Sequence, residues 1–368
     1  PEGQPLSYAW DLDNNGTFET PGQSVAYTGV DGPATLTVKV QATDNGGLTA
    51  IASATVTVNN VAPTATFGSN SPVNEASPAT ISFSNATDPS GPDVAAGLHF
   101  AFACDNASLA AATYASSGAS ASTTCTFADG PSTHTVGGRV IDKDGGYTGY
   151  TTVVTVNNVP PSVGAPTVTP EPSTEGSSVT ARATFTDPGS LDAPYTCSVN
   201  YGDGSAVLPG VVSGATCTGP AHRYAKYGSY TVTVQVTDKD GGVGSNTAAH
   251  VVNLKWDGFD WPIRNLPNFN TALAGSAVPI TFSLGGNEGM NIFASGYPLS
   301  QPVSCTTGAP LAGSTPSVTH GSLNLINLLG IHEYIYIWKT ERAWNNTCRQ
   351  FTLKLVDGTT HSADFKFK

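Results

Sequence analysis

The chain of 368 residues contains 40 Gly and 26 Pro but only 11% charged residues, so it is poor in strong helix formers and rich in turn formers. This composition predicts an all-β protein. The formal net charge is −12, with only 15 Lys and Arg residues along the chain, which argues against a nucleic-acid partner. No apolar run approaches the roughly 20 residues that cross a bilayer as a helix, so no membrane span is expected.

Short strings recur along the first part of the chain at intervals of one small domain. The clearest is an Asp and Gly-rich string, with spacings of 142 − 44 = 98 and 238 − 142 = 96 residues. The recurring strings are DNGG at Asp44 and DKDGG at Asp142 and Asp238, VNNVAP at Val58 and VNNVPP at Val156, and ATDPSG at Ala86 and FTDPG at Phe185. Repetition at this period predicts related domains in tandem.

The repeated domains have the pattern of β-sandwiches. Segments such as YTVTVQVTD from Tyr230 alternate apolar and polar residues, which buries one face of a strand. Turn signals every 8–12 residues or so favour an immunoglobulin-like sandwich. The fold class expected is all-β, with tandem immunoglobulin-like sandwiches at 1–60, 61–158 and 159–253.

The first domain differs from the other two at its start. Its opening, PEGQPLSYAW, aligns with the sequence that follows TDP in the other domains. We therefore expect it to lack its first strands. Either the chain begins within a domain, or another chain donates the missing strands by β-augmentation.

After Asn253 the sequence changes character. The connector LKWDGFDWPIRNLPNFN contains Trp256 and Trp261 and leads into a distinct β domain, so the fourth segment is 254–368. Its strands are predicted at Val278–Leu284, Ser300–Cys305, Tyr334–Lys339, Arg349–Val356 and Thr360–Phe367.

The six cysteines fall two per domain in the last three domains and are absent from the first. An even, domain-paired set in a turn-rich chain predicts disulfides and an oxidising compartment, and no pair has the spacing of a zinc site. The pairs are Cys104 with Cys125, Cys197 with Cys217, and Cys305 with Cys348.

The recurring acidic loops suggest calcium at the junctions between domains. In a sandwich of this strand order, the DKDGG and TDP loops and the linker meet at one end, where carboxylates, Asn side chains and carbonyls together supply the six to eight oxygens that calcium takes. The ligands predicted at the first junction are Asn59, Asn60, Asp88, Asp142 and Asp144. Those predicted at the second are Glu75, Asn157, Asn158, Asp187, Asp238 and Asp240.

These loops have a simpler explanation, because Asp and Gly-Gly also make an ordinary hairpin turn. A separate segment, DLDNNGTFE, spaces Asp11, Asp13 and Asn15 by two and resembles the first half of an EF-hand loop. The twelfth position is Gly22 rather than Glu, although Glu19 could substitute. This segment is either a partial calcium loop or a solvated turn.

No catalytic motif is complete, and a non-enzyme is expected. His332 begins HEYIY like a zinc protease motif, but the second His position holds Tyr336. A set of aromatic residues could bind sugars or could serve as core and junction packing. These are Trp256, Phe259, Trp261, Phe269, Trp338 and Trp344.

Three segments resemble polycystic-kidney-disease (PKD) type domains: YAWDLDNNGTFET from Tyr8, VNYGDGS from Val199 and HRYAKYGSYTVTVQVTDKDGG from His222. Family members carry a Trp-Asp or Gly-Asp-Gly element, then Tyr-x-x-x-Gly-x-Tyr-Thr-Val and a late Asp and Gly turn. The second domain departs, with FACDNAS in place of the first element.

The C-terminal segment is similar to the PxKF domain of bacterial surface and secreted proteins, over AGSAVPITFSLGGNEGMNIFASGYPLSQPVSC and YIWKTERAWNNTCRQFTLKLVDGTTHSADFKFK. The naming element reads Pro279, Ile280, Thr281, Phe282, so its Lys is absent.

The resemblances imply a secreted, modular protein of the bacterial cell surface. We expect a structural or adhesive subunit of a surface filament or layer, with calcium as a cofactor. Other copies of the chain, other surface proteins or a polysaccharide would be its partners. The alternative is an accessory spacer or binding region of a secreted hydrolase.

Overall fold

The computed structural model describes residues 3–328 and 331–368. They form the predicted all-β protein, with strands that pair almost entirely antiparallel. The chain divides into two compact units, the first made of 3–160, 187–193 and 239–242, and the second of 161–186, 194–238 and 243–368. Within the described ranges no helix is long and apolar enough to cross a membrane.

The first unit begins with a four-stranded sheet in the order β2-β1-β3-β4. Its strands are β1 (Ser7–Asp11), β2 (Thr20–Pro21), β3 (Ala34–Thr43) and β4 (Thr49–Val58). Val38 of β3 is buried, but most of β4 is exposed, including Ile51. The predicted first domain is therefore a single sheet in which much of β4 has no covering layer.

The second domain is a sandwich of two sheets, β5-β7-β9 and β6-β11-β10-β8. Its elements are β5 (Thr64–Ser69), β6 (Val73–Asn74), β7 (Pro78–Thr87), α1 (Gly91–Ala96), β8 (His99–Ala103), β9 (Ser122–Thr126), β10 (Ser132–Ile141) and β11 (Tyr147–Asn157). Ile81 from one sheet and Val136 and Val154 from the other are fully buried in the shared core. Alternation along each strand places these residues on the inner faces.

In the second unit, the first sandwich pairs the sheets β12-β15-β19-β18 and β14-β22-β21-β16-β17. Its strands are β12 (Ser162–Val163), β13 (Thr167–Thr169), β14 (Ser173–Thr174), β15 (Ser178–Thr186), β16 (Thr196–Asn200), β17 (Leu208–Pro209), β18 (Val211–Ser213), β19 (Thr216–Thr218), β20 (His222–Arg223), β21 (Gly228–Thr237) and β22 (Val243–Asn253). Val232, Val234 and Val236 of β21 are fully buried, as the alternation in YTVTVQVTD predicts.

The C-terminal domain has the sheets β23-β30-β29-β25-β26 and β24-β28-β27. Its strands are β23 (Phe269–Ala272), β24 (Ala277–Phe282), β25 (Leu299–Val303), β26 (Ser317–Val318), β27 (His320–Leu328), β28 (Ile331–Lys339), β29 (Cys348–Lys354) and β30 (Thr360–Phe367), with a 3-10 helix at Arg342–Trp344. The five predicted strands correspond to β24, β25, β28, β29 and β30. Trp338 packs in the core against Phe351 and Phe365.

The three predicted disulfides are confirmed: Cys104–Cys125, Cys197–Cys217 and Cys305–Cys348. Cys197 lies on β16 and Cys217 on β19, so this bond joins the two sheets of its sandwich. Among the described residues no cysteine is free.

Candidate cation site

The DKDGG string of the second domain is the turn of the β10–β11 hairpin, as the prediction of an ordinary Asp and Gly-Gly turn states. The carboxylate of Asp142 accepts hydrogen bonds from the backbone N–H groups of Asp144 (2.9 Å) and Gly146 (2.8 Å) through Oδ1. The backbone N–H of Asp142 donates to the Gly146 carbonyl at 3.0 Å. Asp142 is fully buried, however, which is unusual for a turn aspartate.

The two glycines of this turn have different physical roles. Gly145 has φ +88, a backbone conformation that glycine adopts without strain. A Cβ on Gly146 would lie 2.4 Å from Asp142 Oδ2 and 2.6 Å from Asn60 Nδ2. Asn60, on the linker that follows β4, donates from Nδ2 to Asp142 Oδ2 at 2.9 Å. Gly146 therefore leaves the space in which the linker packs against the turn.

Two further aspartates come from the segment that follows β7. Ser90 donates its backbone N–H to Asp88 Oδ1 (2.8 Å) and its side-chain oxygen caps the short helix α1 by accepting from the Asp93 N–H (3.3 Å). The sequence SGPDVAAG favours this single turn, with Ser before it, Pro in its first turn and Gly at its end. The cap fixes α1 so that the Asp93 carboxylate is 0% exposed.

The carboxylates of Asp88, Asp93 and Asp142 lie close together. One carboxylate oxygen from each lies within 4.8 Å of the other two, and all three residues are buried. Oδ2 of Asp88, Oδ2 of Asp93 and the amide oxygen of Asn60 are buried without a hydrogen-bond donor. Burial, and then the charges of Asp93 and Asp142, raise the pKa of Asp88. Buried carboxylates need a counter-charge, so this group, the aspartate cluster, is a candidate cation site.

A lysine lies beside the aspartate cluster. The Lys143 ammonium is 2.8 Å from Asp31 Oδ2 and 3.0 Å from Asp93 Oδ1, and it contacts Asp144. The carboxylates of Asp144, Asp31 and Asp93 raise the pKa of Lys143, and the lysine in turn lowers the pKa of Asp31. This second group, the lysine cluster, shares Asp93 with the aspartate cluster.

The prediction for the first junction named part of this arrangement. The structure brings Asn60, Asp88 and Asp142 together, whereas Asp144 contacts Lys143 in the neighbouring cluster. The side chain of Asn59 is exposed, because Asn60 occupies the inward position of the linker. Sequence analysis missed Asp93, Asp31 and Lys143.

A signal for the missed residues exists in the repeats. Asp31-Gly-Pro recurs as Asp129-Gly-Pro, 98 residues on, and Asp93 and Lys143 recur as Asp192 and Lys239, 99 and 96 residues on. In the first unit, the Lys239 ammonium lies 2.5 Å from Asp129 Oδ1, 3.8 Å from Asp192 Oδ1 and 2.5 Å from Asp240 Oδ2. The lysine cluster is thus repeated.

Glu75, a predicted ligand of the second junction, accepts hydrogen bonds from two backbone N–H groups. Its carboxylate is 1% exposed and accepts from the backbone N–H groups of Gly130 (2.8 Å) and Val159 (2.7 Å). It also lies in one group with Asp129 and Asp192. Burial, followed by the charge of Glu75, raises the pKa of Asp192 to about 7.

The other residues predicted for the second junction have varied environments. The side chain of Asn157 is exposed, Asn158 is half-buried and Asp238 is buried. Asp187 accepts from the Gly189 N–H at 3.1 Å, and Asp240 contacts Lys239. Calcium binding by this set stays a prediction.

The EF-hand-like segment is built as a turn. Asp11 is buried and accepts from the backbone N–H groups of Asn15 (3.1 Å) and Gly16 (3.0 Å), while Asp13 accepts from the Asn15 side chain at 2.9 Å. Glu19 is exposed. The groups of three or more acidic side chains found in the described part of the chain do not include these residues.

The aromatic residues proposed as a sugar platform do not form one surface. Trp338 and Phe259 are buried in the C-terminal core, and Trp256 stacks on His361 with ring centroids 3.8 Å apart. Trp344 packs against Trp338. Trp261, in contrast, is 89% exposed.

One hydrogen-bonded chain resembles a nucleophile relay, which the sequence did not reveal. Ser173 Oγ is 2.8 Å from His250 Nε2, and Nδ1 of that His contacts the Glu171 carboxylate. Ser173 is only 2% exposed, so its oxygen does not face a substrate. The chain links β14 to β22 beside their parallel pairing, and a structural role accounts for it.

A second chain joins Ser132 to His134 Nε2 (3.0 Å) and His134 Nδ1 to Asp105 (2.8 Å). The Ser132 hydroxyl donates to the Asp129 carbonyl at 2.7 Å. Because its proton is directed to that carbonyl, the serine is not activated by the histidine.

Comparison with known proteins identifies the family of one domain. The family model of the PKD domain matches residues 158–253, which confirms the resemblance for the third domain. No curated protein matches the chain. With its sheets and disulfides, the chain is a tandem immunoglobulin-like β-sandwich protein that includes a PKD domain.

Solved structures similar to the chain are multidomain β proteins. Three N-terminal domains of the highly immunogenic outer capsid protein of bacteriophage RB49 align at 12% identity with a TM-score of 0.29, covering 83% of this chain and 99% of that chain. Sidekick-1 immunoglobulin domains 1–4 align at 9% identity with a TM-score of 0.27, covering 99% and 91%. The Bacteroides ovatus protein SGBP-B, in complex with a mixed-linkage heptasaccharide, aligns at 13% identity with a TM-score of 0.21, covering 84% and 71%. No function is transferred from alignments this loose.

Proposed function

We propose that this chain is a non-catalytic extracellular spacer or adhesive protein of the bacterial cell surface, and that calcium stiffens the joint between its first two domains. The observation that carries the proposal is the aspartate cluster, which contacts the linker through Asn60. Three disulfides, each within a single domain, and the match to the PKD family model support secretion.

The donor chemistry of the aspartate cluster suits calcium. It offers carboxylate oxygens from Asp88, Asp93 and Asp142 and an amide oxygen from Asn60, all hard ligands. A bound calcium ion would offset two of the three buried negative charges and hold the linker against the TDP and DKDGG loops. The joint would then resist bending, which is what a spacer requires.

Calcium titration of the full chain tests this proposal. Protein stripped with chelator is titrated with CaCl2 by calorimetry, and its shape is followed by small-angle X-ray scattering. We expect saturable binding and a narrower distribution of shapes in calcium. Asp88→Asn should weaken binding at the joint by about tenfold or more, since calcium affinity depends on ligand charge.

The control is Asp105→Asn, because Asp105 belongs to the same domain and its side chain is 72% exposed. This variant should bind calcium like the wild type. Absence of any calcium binding by the wild-type chain, with its disulfides intact, would refute the calcium part of the proposal.

A more specific role is as a subunit of a surface filament or layer. The exposed strand β4, with Ile51 and neighbouring Leu48 exposed, supports it, since a second layer of strands would cover such residues. Light scattering and negative-stain imaging of the chain in calcium and in chelator test this role. Regular fibres or sheets are expected, and single extended rods in both conditions would exclude it.

The alternative role is an accessory spacer of a secreted hydrolase. The exposed indole of Trp261 favours contact with a polymer, because aromatic faces stack on sugar rings. Retention on insoluble polysaccharide that is lost in Trp261→Ala would favour this role. Equal passage of both proteins through the polymer would exclude it.

A further inference from the structure

The joint contains two cation positions that share one carboxylate. The aspartate cluster is Asp88, Asp93 and Asp142, and the lysine cluster is Asp31, Asp93 and Asp144. In each, one oxygen from every carboxylate lies within 4.8 Å of the others. Both clusters contain three carboxylates, but the aspartate cluster is fully buried whereas Asp144 of the lysine cluster is exposed.

Lys143 is placed in its cluster as a metal ion would be. Its ammonium is within ion-pair distance of all three carboxylates, at 2.8 Å from Asp31, 3.0 Å from Asp93 and in contact with Asp144. An ammonium group has three donors and no acceptor, so it can serve three carboxylates at once.

The negative charge of the joint exceeds its positive charge, so the joint attracts a further cation. Asp31, Asp88, Asp93, Asp142 and Asp144 carry five negative charges, and Lys143 carries one positive charge, so the two clusters sum to −4. The ammonium of Lys143 lies in the lysine cluster. In the aspartate cluster, Asp88 and Asp93 keep buried oxygens without a hydrogen-bond donor.

We propose that Lys143 is a built-in cation that fills the second metal position of this joint, so that the joint binds one divalent ion instead of two. This inference rests on the proposed calcium site, which supplies the first ion. The side chain limits the number of ions without weakening the link between Asp31 and the second domain.

Lys239 forms a second group in which one lysine contacts three aspartates. Its ammonium lies at 2.5, 3.8 and 2.5 Å from Asp129, Asp192 and Asp240. The lysine lies between the two aspartates of DKDGG in both loops. All four residues of the first group recur 96–99 residues further along the chain. The arrangement therefore belongs to the domain repeat and is not a chance surface ion pair.

Lys143→Gln tests the inference by stoichiometry. The number of calcium ions bound per folded chain is measured by calorimetry and by native mass spectrometry for the wild type and the variant. We expect the variant to bind one more ion per chain than the wild type, because removal of the ammonium leaves three carboxylates for a metal. Lys143→Arg, which keeps the charge, should bind the wild-type number.

The matched control is Lys255→Gln. Lys255 is exposed and lies 3.1 Å from one carboxylate, that of Asp257, so its loss creates no three-carboxylate group. Its stoichiometry should equal the wild-type value. If Lys143→Gln does not fold, Lys239→Gln makes the same test in the second lysine cluster, again with one additional ion expected.

The outcomes separate this inference from the calcium proposal. An equal number of ions in the wild type and in a folded Lys143→Gln or Lys239→Gln variant overturns the inference and leaves the first ion in place. A wild type that binds no calcium beside a variant that binds one refutes the resident calcium ion but supports the role of the lysine. No binding by either protein refutes both.

Discussion

Replacing the buried carboxylate of Glu75 should have two opposing effects on stability: it weakens hydrogen bonds and it removes a charge repulsion. The carboxylate accepts from Gly130 and Val159 N–H groups at 2.8 and 2.7 Å. In Glu75→Gln the amide oxygen can accept from one of them, and the amide N–H group must face the other. A hydrogen bond to a charged group contributes about 1.5–3 kcal/mol. We therefore expect a loss of about 2–3 kcal/mol in the local free energy of unfolding.

The same substitution removes a repulsion. One oxygen of Glu75 lies within 4.8 Å of one of Asp192, and two unit charges at that distance repel by about 3.5 kcal/mol at an effective dielectric constant of about 20. This repulsion exists only when Asp192 is ionised. Because its pKa is raised to about 7, Asp192 is mostly neutral at pH 6 and mostly charged at pH 8. The hydrogen-bond loss should dominate at pH 6, and the two terms should nearly cancel at pH 8.

Hydrogen exchange of peptides that contain Gly130 or Val159 measures this balance, with variant and wild type compared at the same pH in chelator. At pH 6 one of the two segments should exchange about 30–150-fold faster in Glu75→Gln, the equivalent of about 2–3 kcal/mol. At pH 8 the difference should nearly vanish. In an Asp192→Asn background the loss should be equal at both pH values. An equal loss at both pH values in the parent chain would show that the reasoning is wrong.

Three other predictions concern stability and binding. Replacing Cys197 and Cys217 by Ala opens a loop of about 20 residues and should cost about 3 kcal/mol in a urea unfolding curve; a loss below about 1 kcal/mol would contradict this. The raised pKa of Asp192 means that the folded chain holds its proton more tightly than the unfolded chain, so its contribution to stability is present at low pH and is lost as the pH rises through about 7. In chelator, the contribution of Asp192 to stability should fall between its ordinary pKa of 3.8 and about pH 7, and Asp192→Asn should flatten that slope. In Gly146→Ala the new Cβ meets Asn60 Nδ2 at 2.6 Å, so calorimetry should show weaker calcium binding at the joint, and unchanged affinity would argue against Asn60 as a ligand.

Sequence pattern predicted the architecture well because its determinants are local or periodic. Because side chains alternate between the two faces of a strand, Val232, Val234 and Val236 lie on one face, independently of the rest of the chain. The Asp and Gly-Gly turn was correct for the same reason, since Asp142 and Gly145 satisfy the turn by their own chemistry.

The EF-hand comparison rests on the same kind of local pattern, and calcium binding by this segment stays a prediction. The spacing of Asp11, Asp13 and Asn15 is that of a calcium loop, but their side chains satisfy backbone N–H groups within five residues. Sequence spacing shows which carboxylates are near one another, and it does not show which oxygens remain available. Availability depends on the hydrogen bonds that the folded loop makes.

The repeat, the strands, the hairpin turns and the pairing of the cysteines follow from the order of residues along the chain, because each depends on short-range chemistry or on period. The grouping of the acidic residues depends instead on how distant loops pack together. Lys143 and Asp31 meet across 112 positions, and Asp93 turns inward because Ser90 caps a single helical turn. Charges distributed over separate loops become one cation site only when the linker, through Asn60, fixes how those loops approach, and no local pattern encodes that approach.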